Sequence, residues 1–446
     1  MNLTARYINE HFHTLMALPR NTKAARERIV AFQSRKLKSV VQHAYENVPY
    51  YRELFNLAGL KPVDIRAIDD LSLIPVTSSK DYRKHPVQRT LTRGMRLKSL
   101  FCHSTSGSTS RPFNIFRTSL EEHLINMFRI RAMSQLGVKV SDRLGRLKIL
   151  GLSGNKGKLL RSLRQGLHIY REHLIDCFQP REKILEELHR FVPDVVLGYP
   201  SFITHVAPFP SENEFRNIRP RMVITGGESL TPFSRKRLKE GFNAEVYDTY
   251  GANEFNLVAW QCRESDFYHV CDDNIILEVL NNGKSALPGE RGEVVATSLH
   301  AYAMPFIRYS LGDIATKGPE TCPCGQPFST LASIQGRVHD YFLLPDGPMH
   351  PNEISIPIVM NAGSWIDRYK IIQEKEDRIK FCIKPLKDVK EEDLDFVSKL
   401  ARERLGDRVD FCVEIVNELP FDPGGKFRVS RSRVKSHLDG IDWSRI

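Results

Sequence analysis

"MVITGGESLTPFSRKRLKEGFNAEVYDTYGANEF", residues 222–255, decides the fold. Its first apolar run suits a buried parallel strand. Gly226 and Gly227 end that run, and Glu228 follows them. Thr231 then stands where a helix N-cap belongs, with Pro232 in the first turn of "TPFSRKRLKEGF". "AEVYDTYG" reads as the next strand, running into a loop. Strand, turn, helix and strand in this order indicate an α/β core.

The same rhythm extends upstream through "RLKIL" and "DVVLGY", so the α/β region covers 146–250. Downstream, "IILEVL", "GEVVATSL" and "PFIRYSLGDIAT" are separated by the turn residues "NNGK" and "LPGERG". They predict a β-rich subdomain over 255–335. Towards the N-terminus, Val40, Val41, Ala44 and Val48 recur at helical intervals until Pro49 breaks the run. A helical region over 1–95 is expected. After "IQGRVHDYFLLPDG" the pattern changes to a strand hairpin, "YKIIQEKEDRIKFCIK", an amphipathic helix, "KEEDLDFVSKLARERLG", and a strand, "RVDFCVEIVNEL". The expected architecture is α/β: a large multi-subdomain N-terminal domain, 1–338, and a small α+β C-terminal domain, 339–446.

The 446 residues exceed one compact core. At 41% hydrophobic and 26% charged, the composition is globular. No apolar run approaches a membrane span, and the start, "MNLTARYINEHF", lacks the apolar core of a signal peptide. A cytoplasmic protein is expected, its eight cysteines reduced and without a disulfide framework. The net charge is +12. Arg143 to Arg171 holds eight Lys or Arg and no acidic residue. Such a patch suits an acidic partner: a phosphorylated cofactor, an acidic carrier protein, nucleic acid or a membrane surface.

Several stretches carry candidate chemistry. In "FCHSTSGSTSRPFNIF", residues 101–116, Ser106, Gly107, Ser108, Thr109 and Ser110 lead to Arg111. Hydroxyls, backbone amides and a guanidinium suit phosphate oxygens. The stretch is not a Walker loop, and alone it is equally a polar surface turn. Next, "SLEEHLINMFRIRAMSQ" has Leu120, Leu124, Met127 and Phe128 at helical spacing. Gly226, Gly227 and Glu228 lie beyond the end of a strand, where open α/β sheets bind ligands. Tyr250, Gly251, Asn253 and Glu254 repeat that situation one unit later. An aromatic face can stack on a base, and a glutamate oxygen suits a hard divalent cation. Asp313, in "RYSLGD", can accept hydrogen bonds from sugar hydroxyls.

The ordered series "TSGSTSRP", "GGESL", "YGANE", "RYSLGD", "GRVHD" and "GGKFR" resembles the adenylate-forming superfamily, and within it the phenylacetate–CoA ligase-like branch with its capsular-polysaccharide relatives. The resemblance runs from about residue 35 to about 435. It implies an enzyme that activates a carboxylic acid with ATP and magnesium, releases pyrophosphate and passes the acyl group to a thiol such as coenzyme A. It further implies that Ser106 to Arg111 hold the outer phosphates, that Gly227 and Tyr250 border the adenine, that Gly226, Glu228 and Gly251 are further cofactor-binding residues, and that Glu254 binds magnesium. Asp313 would hold the ribose, with Arg337 near the ribose and hinge. Lys426 would bridge the carboxylate and the α-phosphate from a mobile C-terminal domain. Two positions depart from the family pattern. Ser110-Arg111 replaces Gly-Lys in the phosphate loop, and Val338-His339 precedes Asp340. A carrier protein, an amine or a sugar hydroxyl are alternative acceptors. A degenerate, non-catalytic relative is a further alternative that Ser110 raises. The oligomeric state is left open, a homodimer included.

Some relatives carry a structural zinc built from one Cys, one His and a Cys pair. Here Cys262, His269, Cys322 and Cys324 fit that set, with Cys271 as a substitute. Cys102, Cys177, Cys382 and Cys412 read as plain core or strand residues. A zinc-bearing nucleic-acid binder is disfavoured, because no aromatics interleave with the basic stretch.

Overall fold

The computed structural model describes residues 3–104, 113–149, 171–209, 212–215, 217–337, 341–362, 365–420 and 427–434. Ser106 to Arg111, most of the basic stretch, Val338 to Asp340 and Lys426 lie outside the described residues. So does the side chain of Arg337. The chain divides into two compact units, chiefly residues 1–137 with 249–335, and 138–248 with 336–441.

In the first unit the helices Arg26–Asn47 and Pro49–Leu57 meet at Pro49, the break expected from sequence. Proline at the first helical position loses no bond there, since that amide has no intrahelical partner. The apolar positions Val40, Val41, Ala44 and Val48 are all buried, in one core with Tyr51, Phe55, Phe306 and Tyr309. The β-rich region is antiparallel. Ile275–Asn281 pairs with Arg291–Ser298, which pairs with Tyr309–Lys317. Asn256–Gln261 pairs with Glu245–Ala252 on one side and Tyr268–Val270 on the other.

A separate two-stranded ribbon, Phe101–Ser104 with Asn114–Arg117, brackets the Ser/Thr-rich stretch. It leads into the helix Ser119–Gln135, whose N-cap Thr118 accepts from the Glu121 amide at 3.2 Å. Glu121 returns a carboxylate oxygen to the Thr118 amide at 2.7 Å, completing a capping box. Leu124 and Phe128 of this helix are buried as the spacing predicts, Met127 is half-buried, and Leu120 is exposed.

In the second unit, Met222–Gly226, Val195–Gly198, Arg143–Lys148 and Arg171–Asp176 form a parallel sheet in that order. Parallel strands are covered on both faces, so Val195–Gly198 and Met222–Gly226 are largely apolar, whereas Arg143–Lys148 and Arg171–Asp176 carry charged residues and are only partly buried. Val196, Val223, Leu185, Leu188, Phe202, Leu238 and Phe242 make the core between strands and helices. Thr231 caps the helix Pro232–Phe242 by accepting from the Ser234 amide at 3.1 Å, as the sequence predicts.

The C-terminal segment of this unit is a four-stranded sheet in the order Asp410–Ile415, Arg378–Pro385, Ile366–Lys375 and Ser430–Ser432. The hairpin, the helix Glu391–Leu405 and the following strand match the sequence reading. The helix Pro351–Asn361 and the short strand Ser430–Ser432 were not foreseen. Pro357 interrupts the helical pattern of the first, and three residues carry too little periodicity to announce the second. The fold is α/β, with a large mixed-sheet N-terminal domain and a small C-terminal α/β domain.

Candidate functional site

Three of the sequence candidates gather in the first unit. Tyr250 lies near the end of the strand Glu245–Ala252, and its hydroxyl donates to Asp313 Oδ2 at 2.5 Å. Asp313 stands on the strand Tyr309–Lys317. Glu254 occupies the turn between the paired strands Glu245–Ala252 and Asn256–Gln261. Gly251 is required there, because a Cβ would come 2.6 Å from the Asn256 carbonyl oxygen. Glu254 Oε1 accepts from the Tyr309 hydroxyl at 3.0 Å. Burial, and then the Glu254 charge, push the Tyr309 phenol far above its usual value, so it stays a donor. An aromatic ring, a carboxylate suited to a diol and a second carboxylate suited to a hard cation are therefore brought together, although the strands Glu245–Ala252 and Tyr309–Lys317 are not neighbours in the sheet.

The surroundings of Glu254 contain residues that sequence reasoning missed. Arg117 is buried and donates to the Asn253 carbonyl oxygen. Its Nη1 lies 3.4 Å from Glu122 Oε2, which also accepts from His103 Nε2 at 2.9 Å. Burial lowers the Arg117 pKa, and the carboxylates of Glu122, Glu121 and Glu254 oppose that shift. Burial raises the Glu122 pKa, but His103 and Arg117 outweigh it, and the net shift is downward. This set ties the ribbon around the Ser/Thr-rich stretch to the turn that carries Glu254. The available signal was position: His103 and Arg117 flank the stretch on its two strands.

In the second unit, Gly226 ends its strand and Gly227 adopts φ +82°. A Cβ on Gly227 would come 2.7 Å from the Tyr199 ring, so the turn is fixed by conformation and by packing. Glu228 accepts from the Ser201 amide at 3.2 Å and from the Phe427 amide at 3.0 Å. Phe427 directly follows Lys426 in the chain.

The cysteine reading gains a geometry. Cys262, His269, Cys322 and Cys324 place their donor atoms within 4.8 Å of one another. Cys262 and Cys322 Sγ are 3.7 Å apart, and Cys324 Sγ lies 3.2 Å from His269 Nε2. A tetrahedron with Zn–S bonds of about 2.3 Å has S···S edges of about 3.8 Å, so the spacing fits zinc. Burial lowers the His269 pKa to about 4, which keeps the imidazole neutral, the form that ligates. Burial pushes the Cys324 thiol up to about 12, and a bound divalent cation reverses such a shift by taking the thiolate directly. Cys271 does not substitute. It is fully buried and bonds Arg131 Nη2 at 3.1 Å, beside Asp273. Among the other cysteines, Cys177 and Cys382 are buried, while Cys102 is exposed on its strand.

Residues 349–432 match the family of CapK C-terminal domains. The chain is 27% identical to a phenylacetate–coenzyme A ligase of Thermus thermophilus over 377 residues, 81% of this chain and 82% of that protein. It is 21% identical to the CapK protein of Staphylococcus aureus over 422 residues, 90% of this chain and 89% of that protein. The crystal structure of a 2-hydroxyisobutyryl-CoA ligase in the postadenylation state, with R3-HIB-AMP, superposes with a TM-score of 0.77 at 23% identity. That match covers 92% of this chain and 90% of the other. No described helix is long and apolar enough to cross a membrane.

Proposed function

This chain is a member of the adenylate-forming superfamily, of the acid–CoA ligase-like kind, and we propose on that premise that it joins a carboxylic acid to a thiol through an acyl-adenylate. In the first half-reaction a carboxylate oxygen attacks the α-phosphorus of ATP. The bond to the β-phosphate oxygen breaks, and pyrophosphate leaves with its electron pair. In the second, a thiol sulfur attacks the acyl carbon. The carbon–oxygen bond to phosphate breaks, AMP leaves, and the thiol proton passes to solvent.

The hydrogen bond from Tyr250 to Asp313 carries the reading, because it joins a ring for the base to a carboxylate for the ribose hydroxyls. Glu254 would hold magnesium, whose charge offsets the repulsion between the carboxylate and the triphosphate. Tyr309 and Arg117 keep the Glu254 turn in place. Ser106 to Arg111 would hold the β- and γ-phosphates with hydroxyls and a guanidinium. By the resemblance, Gly226, Gly227 and Gly251 would belong to the nucleotide-binding residues. Lys426 would meet the charge that develops at the α-phosphorus. Arg337 would stand near the ribose. Cys262, His269, Cys322 and Cys324 would hold a zinc with four protein ligands and no open position, a structural role.

Coenzyme A is the acceptor first in line. A carrier protein, an amine or a sugar hydroxyl is the alternative acceptor. Purified protein with magnesium, ATP and the right acid is expected to exchange labelled pyrophosphate into ATP. Absence of exchange across a broad panel of aryl and acyl acids would instead point to a non-catalytic relative.

A further inference from the structure

We propose that Glu228 is a positioning residue, a latch whose carboxylate holds the segment beginning at Phe427 for acyl-adenylate formation. The proposal rests on the adenylation reading and assigns Glu228 a task other than cofactor binding.

The turn before Glu228 fixes where its carboxylate starts, since Gly227 has φ +82° and Tyr199 fills the space beside it. One oxygen accepts from the Ser201 amide at 3.2 Å, within the helix Pro200–Val206. The other accepts from the Phe427 amide at 3.0 Å. Both bonds are charge-assisted, the stronger kind. The Phe427 ring is held separately, in its own domain. It is buried with Cys382 and Leu419, and Lys370 Nζ stands 4.6 Å from its centroid. Lys370 also donates to the Pro420 carbonyl oxygen at 2.6 Å. The ring thus packs on the C-terminal sheet and its flanking chain, and the amide-to-carboxylate bond is one joint to the α/β part of the same unit, alongside the packing of Phe233 on Tyr369.

That joint lies one residue from Lys426. A cation at the α-phosphorus matters when carboxylate and phosphate meet. It does not matter when a thiol attacks the acyl carbon. Loss of the latch is therefore expected to separate the two half-reactions.

The test compares wild type with Glu228→Ala and Glu228→Gln in the full-length protein. Glutamine retains one acceptor oxygen but turns an amino group on the second amide, so it should behave nearly as badly as alanine. In both variants the backbone amides of 427–434 are expected to exchange deuterium faster. Pyrophosphate exchange should fall about 10- to 100-fold in kcat while KM for ATP stays within about two-fold. Transfer from a supplied acyl-adenylate to coenzyme A should stay within about two-fold of wild type, which also reports an intact fold. Unchanged deuterium exchange overturns the latch. So does a loss that appears as a raised KM for ATP, which would make Glu228 a nucleotide contact, or an equal loss in both half-reactions. If wild type itself shows no pyrophosphate exchange, the adenylation reading falls, and the deuterium comparison still decides whether Glu228 holds Phe427.

Discussion

Glu254 and Asp313 show how far single residues can be read from sequence. Glu254 follows a strand, Asp313 lies within one, and each is a carboxylate in a quoted motif, so both were legible as candidate ligands. Tyr309, Arg117, Glu122 and His103 were not. Their roles depend on which strands pair, and on contacts such as Arg117 with Asn253, far apart in the chain. No local pattern announces a contact of that range. Lys426 is the residue with the sharpest expected effect. Lys426→Ala should lower pyrophosphate exchange about 100-fold, the cost of about 3 kcal/mol of lost transition-state stabilisation. Circular dichroism should show the fold retained. Undiminished exchange in that variant would remove the assigned role.

At the scale of elements, local signals worked where burial follows period. The helix Pro232–Phe242 begins at its expected cap, and the strand Met222–Gly226 is buried from Met222 to Thr225. The helix Ser119–Gln135 shows where that logic stops. It buries Glu121 and Arg131 as well as Leu124 and Phe128. Glu121 accepts from the Tyr302 and Ala303 amides at 2.6 and 2.8 Å, and Arg131 pairs with Asp273. Charged residues become core residues only when a distant partner satisfies them, and spacing carries no trace of the partner. The helix Pro200–Val206 supplies a pH test. Burial, and then the charge of Arg368, lower the His205 pKa to about 4, with Arg181 and Lys384 in the same direction and Asp367 opposed. The unfolded chain, with a histidine pKa of about 6.5, binds the proton first. Stability is therefore lost as pH falls from about 6.5 towards 4. His205→Gln should flatten the denaturant midpoint across that window. An unaltered pH dependence would show that His205 does not contribute to it.

For the whole molecule, the α/β class was readable because strands and helices alternate and the pattern then turns to β. The zinc set was readable in part. Cys322 and Cys324 are close in sequence, but Cys262 and His269 join them only through the pairing of Trp260 with His269 across two strands. The exclusion of Cys271 was not readable, since Arg131 comes from another part of the chain. Metal analysis of purified protein is expected to give about one zinc per chain. Prolonged chelation, or Cys322→Ser with Cys324→Ser, should lower that content and reduce Tm by several degrees, because the ligand-bound state is the folded one. A metal-free protein with unaltered Tm would refute the zinc.

Ser104 faces Asn114 across a fixed ladder, and Phe101 faces Arg117 at its far end. That ladder sets both ends of the Ser/Thr-rich stretch in one register, so a graft with Gly-Lys at positions 110 and 111 would begin and end at paired residues, with the buried Phe113 retained as part of the core.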